Sequence, residues 1–293
     1  MATTLLAIVI VLLATHALPD LARLRDYAWL RDWIARSNDA LSGPPWLRVV
    51  LVPVVLLMVT ALIQVGLHGQ WFGFPGFAFA AAVLFLCWGP RDLDADIDSV
   101  LKAPDGERRA VAAQALNPDA AAQPLAMTAP ALVEASFFSA LTRHFGVLFW
   151  FVVLGPVGAL AYRFAQLLAR SPAFREVVGE SREWLEHVAG VLDWAPSHLM
   201  ALSIALVSDF DSVVRSWRDY HAAHGKGYLT LDSGFLAVIA RAGVDADVAA
   251  GDAGETSIGD PVAALADARV VLRRVLMLWL ALIAVVVLGG FSG

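Results

Sequence analysis

From Val49 to Pro90 the chain carries no Asp, Glu, Lys or Arg. A soluble domain rarely hides so much uncharged chain in one place. Two membrane-crossing helices, at about 20 apolar residues each, need such a stretch. The link His68-Gly69-Gln70 divides it, so 47–67 and 71–90 are expected to form a helical hairpin. Trp46, Trp71 and Trp88 stand at the segment ends, as residues of an interfacial aromatic belt do. Two shorter stretches, 2–18 and 275–291, are the other expected spans, in thin or tilted contact with the bilayer. Thr4 to Leu18 resembles the apolar part of a secretory signal but lacks its positive leader, so it is read as a first membrane helix. Composition agrees: 59% of residues are hydrophobic and 16% charged, against roughly 25% charged in soluble domains. No stretch alternates with period two and no internal repeat is present. The expected fold class is therefore all-α: a polytopic membrane protein of about four spanning helices, in a single domain over 1–293.

Two further apolar stretches are less simple. Phe145 to Tyr162 is uncharged but interrupted by Gly155-Pro156, and proline breaks an ordinary helix. Val188 to Val207 holds Asp193, Pro196 and His198, which points to a re-entrant, interfacial or protein-buried segment, because a carboxylate at membrane depth is costly. Positive charge then orients the chain. All 21 Lys and Arg fall in 23–48 and 91–274. With the N-terminus outside, both regions face the cytoplasm and both termini the periplasm. If 145–162 crossed fully, Arg163, Arg170, Arg175 and Arg182 would lie outside, with a return through 188–207. If the chain enters and returns at Gly155-Pro156, every cation stays inside. The second, re-entrant reading of a hairpin over 145–168 is preferred, with arms of about ten residues, or about 15 Å of helix, half a bilayer.

The remaining segments read as cytoplasmic helices. Asp92 to Leu101 has acids in its first turn, Glu107 to Leu116 is amphipathic, and Ala131 to His144 follows a Pro130 placed where a helix start tolerates it. Glu176 to His187 and Phe210 to His221 are amphipathic, and the Gly- and Asp-rich 242–261 reads as an exposed loop. Asp92, Asp94, Asp96 and Asp98 alternate after the third span. They are weak candidates for Mg²⁺ or polyphosphate; the structural reading is a helix cap with dipole-complementing acids. His221 and His224 are spaced to share a metal, but no carboxylate at helical spacing completes a site. Cys87, the only cysteine, lies in an apolar run and reads as a buried thiol. No nucleotide-binding glycine loop, hydrolase elbow or zinc-protease motif occurs, and no basic stripe fits nucleic acid. Glu134 stands alone on an otherwise apolar helix, so it is expected to be paired or functional. Arg163, beyond the Gly-Pro turn, is its expected partner.

The run Phe149-Trp150-Phe151-Val152-Val153-Leu154-Gly155-Pro156-Val157-Gly158-Ala159-Leu160-Ala161-Tyr162-Arg163 resembles the signature hairpin of the AmpE proteins, inner-membrane proteins linked to β-lactamase induction. Leu192-Asp193-Trp194-Ala195-Pro196-Ser197-His198-Leu199 resembles a second AmpE block. AmpE is in turn similar to the CobD/CbiB membrane enzymes, the adenosylcobinamide-phosphate synthases, which make an amide at the expense of ATP during cobalamin assembly. Glu134-Ala135-Ser136 and Tyr162-Arg163 match that family's pattern. Phe164-Ala165-Gln166-Leu167-Leu168-Ala169 stands where the enzymes carry Asn-Thr-Leu-Asp-Ser-Met, and Leu231-Asp232-Ser233-Gly234 corresponds loosely to their Ser-Pro-Asn-Ala-Gly. ATP-driven activation of a carboxylate needs metal ligands and polar groups around phosphate, and most of those positions are apolar here.

The resemblance implies a non-enzymatic regulator in the inner membrane of a Gram-negative bacterium. A diverged membrane enzyme for a small molecule is the alternative, and a transporter of cell-wall fragments is less favoured because Gln64 is almost the only polar residue within a span. Candidate ligand-binding residues are Glu134, Tyr162, Arg163, Asp193, Trp194 and His198. The expected partners are the lipid bilayer, a small molecule or nucleotide at the cytoplasmic face, and a membrane or cytoplasmic protein. No particular cofactor is implied.

Overall fold

The structure, a computed structural model, describes residues 2–17, 25–67, 74–89, 92–117, 124–225, 227, 231–249 and 260–288. Its elements are helices, with no strand among the described residues: α1 (Ala2–Ala17), α2 (Ala28–Ala40), α3 (Pro45–Gly66), α4 (Phe74–Cys87), α5 (Leu93–Leu101), α6 (Gly106–Ala113), α7 (Ala129–Ala140), α8 (Gly146–Leu154), α9 (Pro156–Arg170), α10 (Arg175–Val178), α11 (Arg182–Val207), α12 (Phe210–His224), α13 (Phe235–Ala249) and α14 (Pro261–Leu288). A π-helical turn, Leu141–Phe145, joins α7 to α8. The chain divides into two compact units. One comprises Met1–Asp92, Gly146–Ala189 and Ile283–Gly293; the other comprises Leu93–Phe145 and Gly190–Leu282.

Among the described residues three helical runs are long and apolar enough to cross a membrane: Pro45–Gly66, Ala129–Leu154 and Pro172–Val207. The first matches the expected span at 47–67. The other expected spans are not among these three runs. The apolar helices at 2–18 and 71–90 are short, Leu5–Thr15 and Phe74–Cys87. Residues 68–73 and 90–91, with the link His68-Gly69-Gln70 and Trp71, lie outside the described residues. The stretch 275–291 belongs to α14, which begins at Pro261 and carries Arg269, Arg273 and Arg274 before its apolar end; residues 289–293 also lie outside the description. The long runs instead fall where the sequence suggests a hairpin arm and an interfacial segment. The π-turn continues α7 into α8, and Pro196 sits inside α11 without ending it. The loop expected over 242–261 is helical as far as Ala249.

In the first unit α1 packs on α4, α2 on α3, and α9 on both α3 and α4. The core where α2, α3 and α9 meet is apolar: Leu30, Ile34, Val49, Phe164, Leu167 and Leu168, with Phe174, Val178 and Leu185 closing it. The outer face of α3 is equally apolar but bare. Leu51, Val54, Val55, Met58, Val59, Leu62 and Ile63 are exposed, and only 11% of its apolar window is buried. Thr60, its buried hydroxyl, donates to Leu56 O at 2.8 Å and so presents no unsatisfied donor. A continuous apolar face of this kind is an aggregation surface in water and an ordinary surface in lipid.

The second unit is tied by α13, which packs on α7 and α12. Gly243 lets α13 approach α11: a Cβ there would stand 2.7 Å from Ile204 Cγ2. Phe145 meets Trp279 edge-on with ring centroids 5.1 Å apart, and Trp279 Nε1 donates to Ser203 Oγ at 2.9 Å.

Candidate functional site

The best-defined feature of the first unit is the α8–α9 hairpin. Gly155 turns the chain with φ 69° and ψ −153°, a conformation glycine adopts and L side chains avoid. Pro156 follows at the first position of α9, where its missing N–H costs nothing. The arms then close face to face. A Cβ on Gly158 would lie 2.2 Å from Trp150 O, and one on Gly146 would lie 2.1 Å from the Tyr162 ring. Tyr162 is fully buried there, with its ring filling the space that Gly146 leaves open.

A side chain from α3 completes the turn. Gln64 Nε2 donates to Leu154 O at 3.4 Å, and Val157 N donates to Gln64 Oε1 at 3.3 Å. One amide thus serves a carbonyl at the end of α8 and an N–H at the start of α9. Broken helices in lipid need such a partner, because no water is there to supply it. The contact also fixes where the turn sits along α3. At 1.5 Å per residue about 24 Å of α3 separates Arg48 from Gln64, and α9 is about 22 Å long. Phe164, Leu167 and Leu168 pack near Val49 at the opposite end of α3 from Gln64. The hairpin therefore runs along almost the whole of α3. The turn falls at Gly155-Pro156, between arms of nine residues in α8 and 15 in α9.

Arg163, of the first unit, bonds within that unit. It is buried at 3% exposure, and its Nε and Nη2 both donate to Cys87 O, at 2.7 and 2.5 Å. Two neighbours take adjoining carbonyls: Tyr27 Oη donates to Leu86 O at 2.8 Å, and Arg25 Nη1 to Gly89 O at 3.2 Å. The Arg25 guanidinium also lies 4.3 Å from the centre of the Phe85 ring. Tyr27 and Arg163 thus satisfy the carbonyls of the last two residues of α4, and Arg25 one just beyond, at the end that a helix dipole makes favourable to cations. Burial, and then the nearby charge of Arg163, holds the Arg25 pKa below its usual range; the negative charge of Asp92 opposes this. The Cys87 thiol is buried, as its apolar context suggests.

The other candidates belong to the second unit. Glu134 pairs with Arg241 of α13 at 3.2 Å. A lone acid on an apolar helix is satisfied as expected, by a cation that sequence position gave no reason to choose. The acids of α5 go two ways. Asp94 accepts from Arg269 Nε at 2.7 Å and from Arg273 Nη2 at 3.3 Å, while Asp98 accepts from Arg269 Nη1 at 2.5 Å and from Lys102 Nζ at 2.7 Å. Asp96, only 2% exposed, accepts from Arg143 Nη1 at 2.7 Å, and Arg143 Nη2 donates to Ala115 O. The alternation thus places Asp94 and Asp98 on one helical face, gripped by one guanidinium, and sends Asp96 to the π-turn.

Trp194 and His198 are brought together with Trp217 and Phe235, which the sequence did not mark, and with His221, which it did. Asp193 is buried at 1% exposure. His198 Nδ1 lies 2.6 Å from Trp194 O, and its ring meets Trp194 and Phe235 at 4.7 Å each and Trp217 at 5.9 Å. Trp217 stacks on Phe235 at 5.5 Å and donates from Nε1 to His221 Nε2 at 3.0 Å. His224 stacks on Tyr220, whose hydroxyl donates to Asp232 at 2.9 Å. Burial, with the bond to Asp232, pushes the Tyr220 pKa up to about 12. Among the described residues no group of three or more His, Cys, Asp or Glu is placed to hold a metal ion. Aromatic residues at helical spacing on α12 were the available signal for this cluster; its closure by Phe235 depends on tertiary packing.

In the comparisons with known proteins, no family model, curated protein or solved structure matches the chain.

Proposed function

We propose that the chain is a regulatory protein of the AmpE type in the inner membrane of a Gram-negative bacterium, acting in β-lactamase induction or the response to cell-wall stress, and not a catalyst. The observation that carries this reading is the state of its acids. Of the four alternating carboxylates that are weak candidates for Mg²⁺ or polyphosphate, Asp94, Asp96 and Asp98 are engaged by Arg269, Arg273, Arg143 and Lys102. A divalent cation would have to displace guanidinium groups held by charge-assisted bonds. Likewise Arg163, a survivor of the enzyme family's pattern, is committed to the carbonyl of Cys87. Retained positions thus serve the scaffold. The lipid bilayer is one partner, and Glu134 on α7 with Asp193, Trp194 and His198 on α11 are where a small ligand at the cytoplasmic face would bias the protein.

The test uses two bacterial strains. In an inducible producer, deleting the gene should alter β-lactamase induction by a β-lactam, and the full chain should restore it. In a strain lacking the CobD/CbiB enzyme the same chain should not restore cobalamin synthesis. Normal induction in the deletion strain, or growth on cobalamin made through the expressed protein, would contradict the proposal.

A further inference from the structure

We propose that the notch between the start of α3 and the start of α11 binds an ammonium group. Five residues of the first unit line it: Pro45, Trp46, Glu180, Ser181 and Trp184, around a cavity of about 470 Å³. Two indoles form its walls. Trp46 and Trp184 are 49% and 48% exposed, so each offers a ring face to a guest. Their centroids are 6.4 Å apart with planes inclined at 47°. A cation seated in that opening lies within about 6 Å of both ring centres, the range over which the negative face of an aromatic ring attracts it. Glu180 supplies the opposite charge at the rim and makes no ion pair among the described residues. Neighbouring cations have other bonds: Arg182 with Glu186 at 2.6 Å, and Arg48 with Asn38 O at 3.2 Å. The wall also holds the buried hydroxyl of Ser181, which bonds to no described residue. Two indole faces and a carboxylate together repel an anion, so an acidic ligand does not suit the notch.

The ammonium group has two possible sources. With α3 read as a membrane helix, Trp46 lies at its headgroup end, where the amine of phosphatidylethanolamine is within reach. A soluble amine arriving from the aqueous side carries the same chemistry. The full-length protein in nanodiscs of phosphatidylglycerol, with or without phosphatidylethanolamine, separates them. Native mass spectrometry reads which lipid is retained, and calorimetric titration with ethanolamine in the phosphatidylglycerol discs reads the soluble source. Glu180→Gln and Trp184→Ala alter exposed side chains, and an unchanged thermal midpoint will show that both variants fold. Retention of phosphatidylethanolamine over phosphatidylglycerol, weakened about tenfold in each variant, establishes the lipid source. Ethanolamine binding lost in the variants, without lipid preference, establishes the soluble one. The proposal is overturned if neither ligand binds, if both bind Glu180→Gln as well as the natural protein, or if phosphatidylglycerol is the lipid retained.

Discussion

An arginine near an apolar helix has two kinds of partner to choose from, a carboxylate or the free carbonyls at a helix end, and the chain uses both. Arg163 takes the carbonyl of Cys87, while Arg269 bridges Asp94 and Asp98. The second arrangement has a pH signature. The bond from Lys102, and then that from Arg269, holds the Asp98 carboxyl below its usual value of 3.8. A carboxyl whose pKa is lower in the folded than in the unfolded chain favours folding above the unfolded value. That contribution is lost as pH falls from about 3.8 through the lower folded value. Asp98 is one-third exposed, so solvent screens the effect and the shift will be modest. Thermal scans of the natural protein and of Asp98→Asn, at pH 7 and on either side of pH 4, should show a smaller acid-side drop in the variant. Equal drops would mean that the pair contributes nothing. The period of a helix is enough to put Asp94 and Asp98 on one face and Asp96 on another. It did not show their partners, because Arg269 lies far along the chain and any of several arginines satisfied the same spacing. Glu134 is similar: proximity in the chain gave no reason to choose Arg241, which sits on a helix packed directly against α7.

At the scale of elements, glycine decides how closely helices meet. Gly158 faces Trp150 O with no room for a methyl group, whereas a Cβ on Gly106, at the start of α6, meets nothing within 4 Å. Gly158→Ala should therefore destabilise the protein by about 3 kcal/mol, since the obstructing atom is backbone and cannot rotate away. Gly106→Ala, at a helical position open to solvent, should be neutral or slightly stabilising. Denaturation midpoints of the two variants in the same detergent check the contrast, and equal midpoints would show that the arms are not in close contact. The turn itself was legible, because Gly-Pro in an uncharged run has few other uses. The length of the arms was not. A π-turn leaves no mark in a hydropathy pattern, so α7 and α8 read as separate pieces although they form one run, Ala129–Leu154. Pro196 misled in the same direction: its neighbours in α11 accommodate it, and the segment continues as helix to Val207. The glycine- and aspartate-rich composition after Ala242 likewise suggested a loop, where α13 runs on to Ala249.

For the whole molecule, the account rests on α3 as a membrane helix with α9 laid antiparallel along it. A 22-residue helix is about 33 Å long, slightly more than the hydrocarbon core. Its bare apolar face needs lipid, and its Arg48 end carries the charge expected of a cytoplasmic boundary. The hairpin turn then sits beside Gln64, close to the other face, and α9 returns Arg170 to the side of Arg48. On that reading, the charge asymmetry that favoured a re-entrant loop would be met by a hairpin of nearly full depth. Cysteine labelling in intact cells and inverted vesicles measures this directly. With the single native thiol removed by Cys87→Ser, a membrane-impermeant maleimide is applied to Asp39→Cys, before α3, and to Leu154→Cys, at the turn. The account predicts labelling of Asp39→Cys only from the cytoplasmic side and of Leu154→Cys only from the periplasmic side. Labelling of both from one side, or of Leu154→Cys from neither, would contradict it.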